Sequence, residues 1–446
     1  MLKLFLWLRY LRKKKIVFLS IAAVALSVSL LIVVASLFTG FIKAFQRAAV
    51  EAIGDVVLAP PTKFAKYELF IERLEQTEQV ESATAMLSAH GLLHLGKGNV
   101  RAVEIWGIEP VRRAKVMGFD RYLLRQRKSG GEPSFKMSGL EEIGGFVGIG
   151  VMAEPDEKTD KYDFDAVEKM FGQQVVLTTG TVSRAEEEGS RAEVKRKVIQ
   201  FTITDVVETG VYQFDNGCVY LPIEELQKTL YPDEALPVAS QIQIKLADNA
   251  ETDAALAVIR GVWRSFVGEH LEADPYLLQY TGIETAKQMQ SRYVAAYRKQ
   301  MGLLLLIFGV VSFGVILLVF CIFYMIVRLK QRDIAIIKSC GASGGSVAWI
   351  FVGFGVCIGI IGSGIGAVLG YVFTKNINTI EEWIRIIFGL KLWKSSVYMF
   401  SKIPNEVDWA SALPIVLLAI LAAAIGTLVP AIVAAVTKPI EILRYE

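Results

Sequence analysis

The sequence predicts a membrane α-helical protein. Four transmembrane helices are arranged one plus three, with a large α+β extracytoplasmic domain inserted between helices one and two. Three observations carry this reading. First, Val17–Ile42, Leu303–Val327, Val347–Thr374 and Leu413–Thr437 contain no charged residue, and roughly 20 apolar residues suffice to cross the hydrocarbon. Second, about 260 residues of ordinary globular composition separate the first stretch from the second. Third, basic residues are unevenly placed. Lys3, Arg9, Arg12, Lys13, Lys14 and Lys15 precede the first stretch with no acid before Glu51, and Arg328, Lys330, Arg332 and Lys338 lie between the second and third. The positive-inside bias puts both termini and that loop in the cytoplasm. Segment 375–412 also carries Lys375, Arg385, Lys391, Lys394 and Lys402, yet alternation of the spans places it outside.

The expected organisation follows in order. Residues 1–16 are a cytoplasmic interfacial segment, with Leu4, Phe5, Trp7, Leu8 and Leu11 set among Lys and Arg as in helices that lie on a membrane surface. Residues 17–42 form transmembrane helix 1. Its apolar run is too long for a cleaved signal and reads as a signal anchor. Residues 43–302 are the extracytoplasmic domain, 303–327 helix 2, 328–346 a cytoplasmic loop, 347–374 helix 3, 375–412 an extracytoplasmic loop, 413–437 helix 4, and 438–446 a cytoplasmic tail.

Within the outer domain, Tyr67–Gln76 has helical spacing, and so has Asn249–Val267, with Leu256, Ile259 and Trp263 on one face. Val100–Gly107, Gln174–Thr179, Val198–Val207 and Gln241–Leu246 read as strands by alternation and β-branched content. The charged segments 152–166 and 180–197 read as solvated loops or hairpin tips. From Thr281 to Met301 the chain is polar but helical in spacing, which predicts one helix running into the second span. Cys218 is the one cysteine of this domain, so an internal disulfide is impossible there, and the residue reads as a small buried apolar side chain.

The chemistry present is sparse. A net charge of +3 gives no reason to expect a nucleic-acid partner. No G-x-x-x-x-G-K-[ST] occurs, and the glycines at 341–345 lack the lysine, so the chain has no phosphate-binding loop of that kind. The three histidines offer little acid–base chemistry. His90 and His94 are four apart, but Gly91 and the local alternation argue for strand and turn, with no third ligand for zinc. Asp156, Asp160, Asp163 and Asp165 miss the glycine that a calcium loop needs. No catalytic residue, cofactor or metal is therefore expected. The spans hold no ionisable side chain, which counts against an ion- or proton-coupled carrier.

Two patterns remain. Gly355 and Gly359 are four apart, as are Gly362, Gly366 and Gly370. That spacing lets helix backbones approach closely, either within the chain or against a second copy or relative. The loop Arg328–Ser343 carries Ile334, Ile336 and Ile337 as an apolar side flanked by charges, and Gly341 stands where a helix would stop. A short amphipathic helix there suits docking to a cytoplasmic partner.

The segment Lys330-Gln-Arg-Asp-Ile-Ala-Ile-Ile-Lys-Ser-Cys-Gly-Ala-Ser343 resembles the signature of the FtsX/MacB-type ABC permeases. In that family an acid-Ile-x-Ile run leads to Gly-Ala-Ser, and the one-plus-three layout is the family's own. Further segments resemble its LolC/LolE lipoprotein-releasing branch: Ala25–Val34 with Gly40-Phe41, Trp106–Pro110, Gly210–Leu221, Ser396–Tyr398 with Ile403-Pro404, Pro430-Ala431, and the ending Pro439–Glu446.

The resemblance implies a non-catalytic inner-membrane subunit. Cytoplasmic ABC ATPase subunits would drive it beside a second permease chain, identical or related. The cargo would be a lipoprotein, passed to a periplasmic carrier. It implies ATPase coupling through Lys330, Gln331, Arg332, Asp333, Ile334, Ile337, Lys338 and Gly341, and a substrate cavity on faces of the first two spans. In LolC-like members an apolar, Pro-rich hook engages the carrier, whereas Thr181–Lys197 here is dominated by Arg, Glu and Lys. The alternatives are a MacB-like exporter of another amphiphile and an FtsX-like signal relay to outer-face hydrolases.

Overall fold

The computed structural model describes residues 15–96, 98–136, 142–156, 159, 162–183, 193–398, 400 and 402–438. The interfacial segment and the tail expected at the two ends lie almost wholly outside these residues. So does the middle of the charged stretch 181–197.

In chain order the principal elements are α1 Lys15–Ile53, β1 Val56–Ala59, β2 Phe64–Ala65, α2 Tyr67–Glu75, β3 Val80–His94, β4 Val100–Ile108 and α3 Pro110–Met117. Then come β5 Gly144–Gly148, β6 Gln174–Ser183, β7 Glu193–Val207, β8 Cys218–Pro222, α4 Ile223–Leu230, β9 Val238–Ala239, β10 Gln241–Leu246, α5 Thr252–His270 and β11 Gly282–Thr285. The chain ends with α6 Ser291–Leu329, α7 Gln331–Ser339, α8 Gly344–Lys375, α9 Ile377–Phe388 and α10 Trp409–Val436. These elements divide into two compact units. A helical unit takes residues 1–44, 293–380 and 403–446, and a sheet unit takes 45–292 and 381–402.

In the sheet unit, nine strands among the described residues are ordered β11-β1-β10-β3-β4-β8-β5-β7-β6, and β3 pairs a second time with β6. The strands β3, β4, β8, β5, β7 and β6 therefore close into a ring, and β10, β1 and β11 extend from it. The device is the length of β3. Its first half, Val80–Met86, pairs with β10, and Gly91–His94 at its far end pairs with β6. Gly91 makes the second pairing possible, because a Cβ there would stand 2.6 Å from the Thr178 carbonyl and 2.9 Å from Ile105.

Helices α2 and α5 bury Phe70, Ile71, Leu74, Leu256, Ile259, Trp263 and Phe266. Phe64, Phe70, Trp263 and Phe266 meet mostly edge to face, with ring centres 5.0–6.3 Å apart. Aromatic pairs favour that geometry. Cys218 opens β8 and is buried; burial pushes its thiol up to about 12, so it is not a reactive group. His90 lies within β3 opposite Glu104, and His94 Nε2 is 3.1 Å from Thr178 Oγ1. The stretch around Gly91 is continuous strand, with no turn.

A further expectation fails. Thr281–Met301 is not a single helix. Gly282–Thr285 forms strand β11 because β1 offers it an antiparallel partner, with Ala59 opposite Gly282 and Val56 opposite Thr285. A capped single turn follows, in which the Thr285 and Gln288 side chains each bind the other's backbone N–H. The long helix starts only at Ser291.

Among the described residues, four helices are long and apolar enough to cross a membrane: Val17–Ile53, Tyr293–Leu329, Gly344–Lys375 and Trp409–Val436. Helix α8 packs against both α1 and α10 through its glycines. A Cβ at Gly362, Gly366 or Gly370 would meet Val24, Ala25 with Val28, or Ile32 of α1, at 2.9, 2.6 and 3.1 Å. A Cβ at Gly355 would collide with Thr427 of α10, and one at Gly359 would stand 3.0 Å from Ile420. Helix α6 joins through a Ser27–Ser312 hydroxyl pair at 2.9 Å to α1, and through Gly426 of α10 against Ile316. Small residues and hydroxyls are the means by which helices associate in lipid, where apolar burial gives little drive.

Candidate functional site

The loop between the second and third long helices folds into α7, a helix of nine residues. Its two boundaries explain the composition of the segment. Gly341 sits at φ +95°, its N–H donates to the Lys338 carbonyl at 3.0 Å, and the Ala342 N–H donates to the Ile337 carbonyl at 3.3 Å. These are the two bonds of a Schellman stop, which needs a left-handed residue and so favours glycine. Two residues later, the Ser343 hydroxyl accepts from the Ser346 N–H at 3.2 Å and caps α8. Gly-Ala-Ser is thus a helix stop and a helix start in three residues.

The side chains of α7 divide by face. Ile334 is buried with Val327, Val347 and Ala434, and Ala335 is buried too, while Arg332, Ile336, Ile337 and Cys340 are exposed. Ile334, Ile336 and Ile337 do not share one apolar side, as the sequence reading had it. At 3.6 residues per turn, positions two apart point to nearly opposite faces. Lys330 pairs with Asp333 one turn on. Lys338 Nζ donates to the Ala435 and Thr437 carbonyls, both at 2.7 Å. Those carbonyls end α10, where the helix dipole favours a cation. Gln331 is half-buried and Gly341 is exposed.

The structure therefore brings Lys330, Gln331, Arg332, Asp333, Ile334, Ile337, Lys338 and Gly341 onto one short helix and its stop. It distributes Gly355, Gly359, Gly362, Gly366 and Gly370 along α8 against α1 and α10. Sequence reasoning did not anticipate that Lys338 ties α7 to the end of α10. The signal available was a lysine just before a helix stop, in a segment whose far partner cannot be read from local pattern. Among the described residues, no group of three or more His, Cys, Asp or Glu is placed to hold a metal.

Two family models match the chain. The MacB-like periplasmic core domain covers residues 17–262, and the FtsX-like permease C-terminal covers residues 289–439. The chain belongs to the FtsX/MacB family of ABC permeases. This permease is 27% identical over 457 residues to the lipoprotein-releasing system transmembrane protein LolC of Neisseria meningitidis serogroup B, covering 100% of this chain and 99% of that protein. It is 26% identical to LolC of Xylella fastidiosa strain 9a5c, over 98% of each chain. It is 24% identical to LolE of Haemophilus influenzae, over 95% of this chain and 93% of that one. Among solved structures, the periplasmic region of MacB from Actinobacillus actinomycetemcomitans aligns at a TM-score of 0.29 and 12% identity, covering 55% of this permease and 95% of that chain.

Proposed function

We propose that this permease releases lipoproteins from the inner membrane toward the outer membrane. It is driven by ATP hydrolysed on separate cytoplasmic ABC ATPase subunits, and it works beside a second permease chain. The observation that carries the proposal is that relatives named as lipoprotein-releasing transmembrane proteins match it from end to end, sheet unit included. A MacB-like exporter shares the type of outer domain, so it is the end-to-end match to the lipoprotein-releasing proteins that favours this reading. Both termini and α7 face the cytoplasm in this reading, and the sheet unit faces the periplasm.

The chemistry is consistent with the task. Each acyl chain holds a lipoprotein in the bilayer by about 0.8 kcal/mol per buried CH₂, so extraction requires a coupled drive. Helix α7 presents Arg332, Ile336 and Ile337 outward as a docking face for the ATPase, while Ile334 and Lys338 fix it to the long helices. A push on α7 then reaches α10 directly through Lys338 and α8 through the Gly-Ala-Ser link.

Purification of the tagged chain from native membranes, with mass spectrometry of what co-elutes, tests this. An ABC ATPase together with a related permease is the expected result. The absence of any ATPase at reproducible stoichiometry would overturn it.

A further inference from the structure

Helix α1 is 39 residues long, roughly 58 Å at 1.5 Å per residue, well beyond the ~30 Å of a hydrocarbon core. Its last turns belong to the sheet unit, and there it meets a buried cation. Arg113 of α3 is 2% exposed. Its Nη2 donates to the Ala52 carbonyl in the last turn of α1 at 2.9 Å, and its Nη1 donates to Gln243 Oε1 of β10 at 2.7 Å. Trp106, Phe119 and Tyr220 surround the guanidinium, with ring centres 5.0–5.9 Å away. Among the described residues no carboxylate pairs with it; the groups that offset its charge are a helix-end carbonyl, an amide oxygen and aromatic faces.

A buried, unpaired charge is costly, and apolar residues of the same size would fill such a site more cheaply. What Arg113 provides that they cannot is a bridge of two charge-assisted hydrogen bonds, one to the helix and one to the sheet.

The surrounding contacts point to the same junction. Gly54, at φ +83°, ends α1 with its N–H on the Val50 carbonyl. Asp55 donates from its N–H to the Ile244 carbonyl and accepts from the Leu246 N–H, both on β10. Tyr122 Oη donates to Glu51 Oε2 at 2.9 Å.

We propose that Arg113 is the positioning residue that locks the outer end of α1 to the sheet, so that displacement of α1 moves the sheet unit as a body instead of bending the Gly54–Asp55 link. This deepens the permease reading above and rests on it.

The test uses the full chain with its ATPase partner and the second permease in proteoliposomes holding a fluorescent triacylated protein, with spin labels at the exposed positions Arg47 and Glu81. Arg113→Met keeps the bulk and removes both hydrogen bonds, and Gln243→Leu removes only the sheet-side acceptor and serves if the first variant fails to fold. The expected result is that lipoprotein released per ATP hydrolysed falls about tenfold, within the usual range of a coupling contact. ATP turnover stays unchanged and the label distance distribution broadens, with Arg113→Lys intermediate. A distribution as narrow as wild type in a folded variant overturns the lock, whatever the release assay shows. A broadened distribution with no ATP-dependent release even in the wild type keeps the lock and overturns the lipoprotein-release reading.

Discussion

The two units of this permease are held together by opposite means. In the helical unit, helices approach through residues with the least side chain: Gly355, Gly359, Gly362, Gly366 and Gly370 of α8 lie against α1 and α10, with hydroxyls such as Ser27 and Ser312 paired across helices. In the sheet unit the core consists of large groups, with Phe64, Phe70, Trp263 and Phe266 interlocked under the sheet. The difference follows from solvent. Water drives large apolar side chains together at about 25 cal/mol per Å² buried, whereas in lipid apolar burial gains little and close backbone approach decides. Adding atoms should therefore break one unit, and removing them should break the other.

The largest effect is expected from Gly366→Leu. A Cβ there would stand 2.6 Å from the Ala25 carbonyl oxygen, and backbone cannot yield as a side-chain tip can. The loss should exceed the ~1–3 kcal/mol of ordinary overpacking and prevent α8 from seating on α1. Gly364→Leu is the control, since nothing lies within 4 Å of a Cβ at Gly364. Fluorescence-detected size exclusion in detergent should show the first variant lost or aggregated and the second at wild-type yield. Equal yields would mean that the helices do not pack as described.

Next comes Phe70→Ala, which removes a fully buried ring from the sheet unit. Its expected cost is about 3–5 kcal/mol, seen as a lower denaturant midpoint for the tryptophan signal of Trp263.

The smallest effect concerns Asp215, whose carboxyl accepts from the Thr209 N–H, the Thr209 hydroxyl and the Gly210 N–H. Burial outweighs those bonds and pushes it up from 3.8 to about 6. A carboxyl raised on folding lends stability that is complete below its unfolded value and is lost as pH rises through its folded value. Between pH 4 and 7 the wild type should therefore lose melting temperature relative to Asp215→Asn. A constant gap across that range would contradict the assignment.

Much of this was legible before the structure. The four spans stand out because lipid demands long uncharged runs, and the helix bearing Leu256, Ile259 and Trp263 shows its buried face in its spacing. The ends of the long helices were not legible. α1 continues to Ile53 through Lys43, Arg47 and Glu51, because hydropathy falls where the membrane stops while helix propensity does not. Strand β11 was hidden for a different reason: Gly282–Thr285 has no strand pattern of its own and takes its form from β1. Arg113 could not be found at all. Its role depends on Ala52 and Gln243, which lie 61 and 130 residues away in sequence. At the candidate site the glycine stop and the charged flanks were readable, but the division of Ile334 from Ile336 and the reach of Lys338 to α10 depend on packing.

The most direct test of the account is release itself. The chain, reconstituted with the proposed ABC ATPase and second permease, is given ATP in proteoliposomes carrying a triacylated reporter, and the lipoprotein appearing in the soluble fraction is measured against ATP consumed. The account predicts release that requires ATP and falls when Lys338→Met cuts α7 from the end of α10. ATP hydrolysis at full rate with the reporter remaining in the bilayer would contradict it.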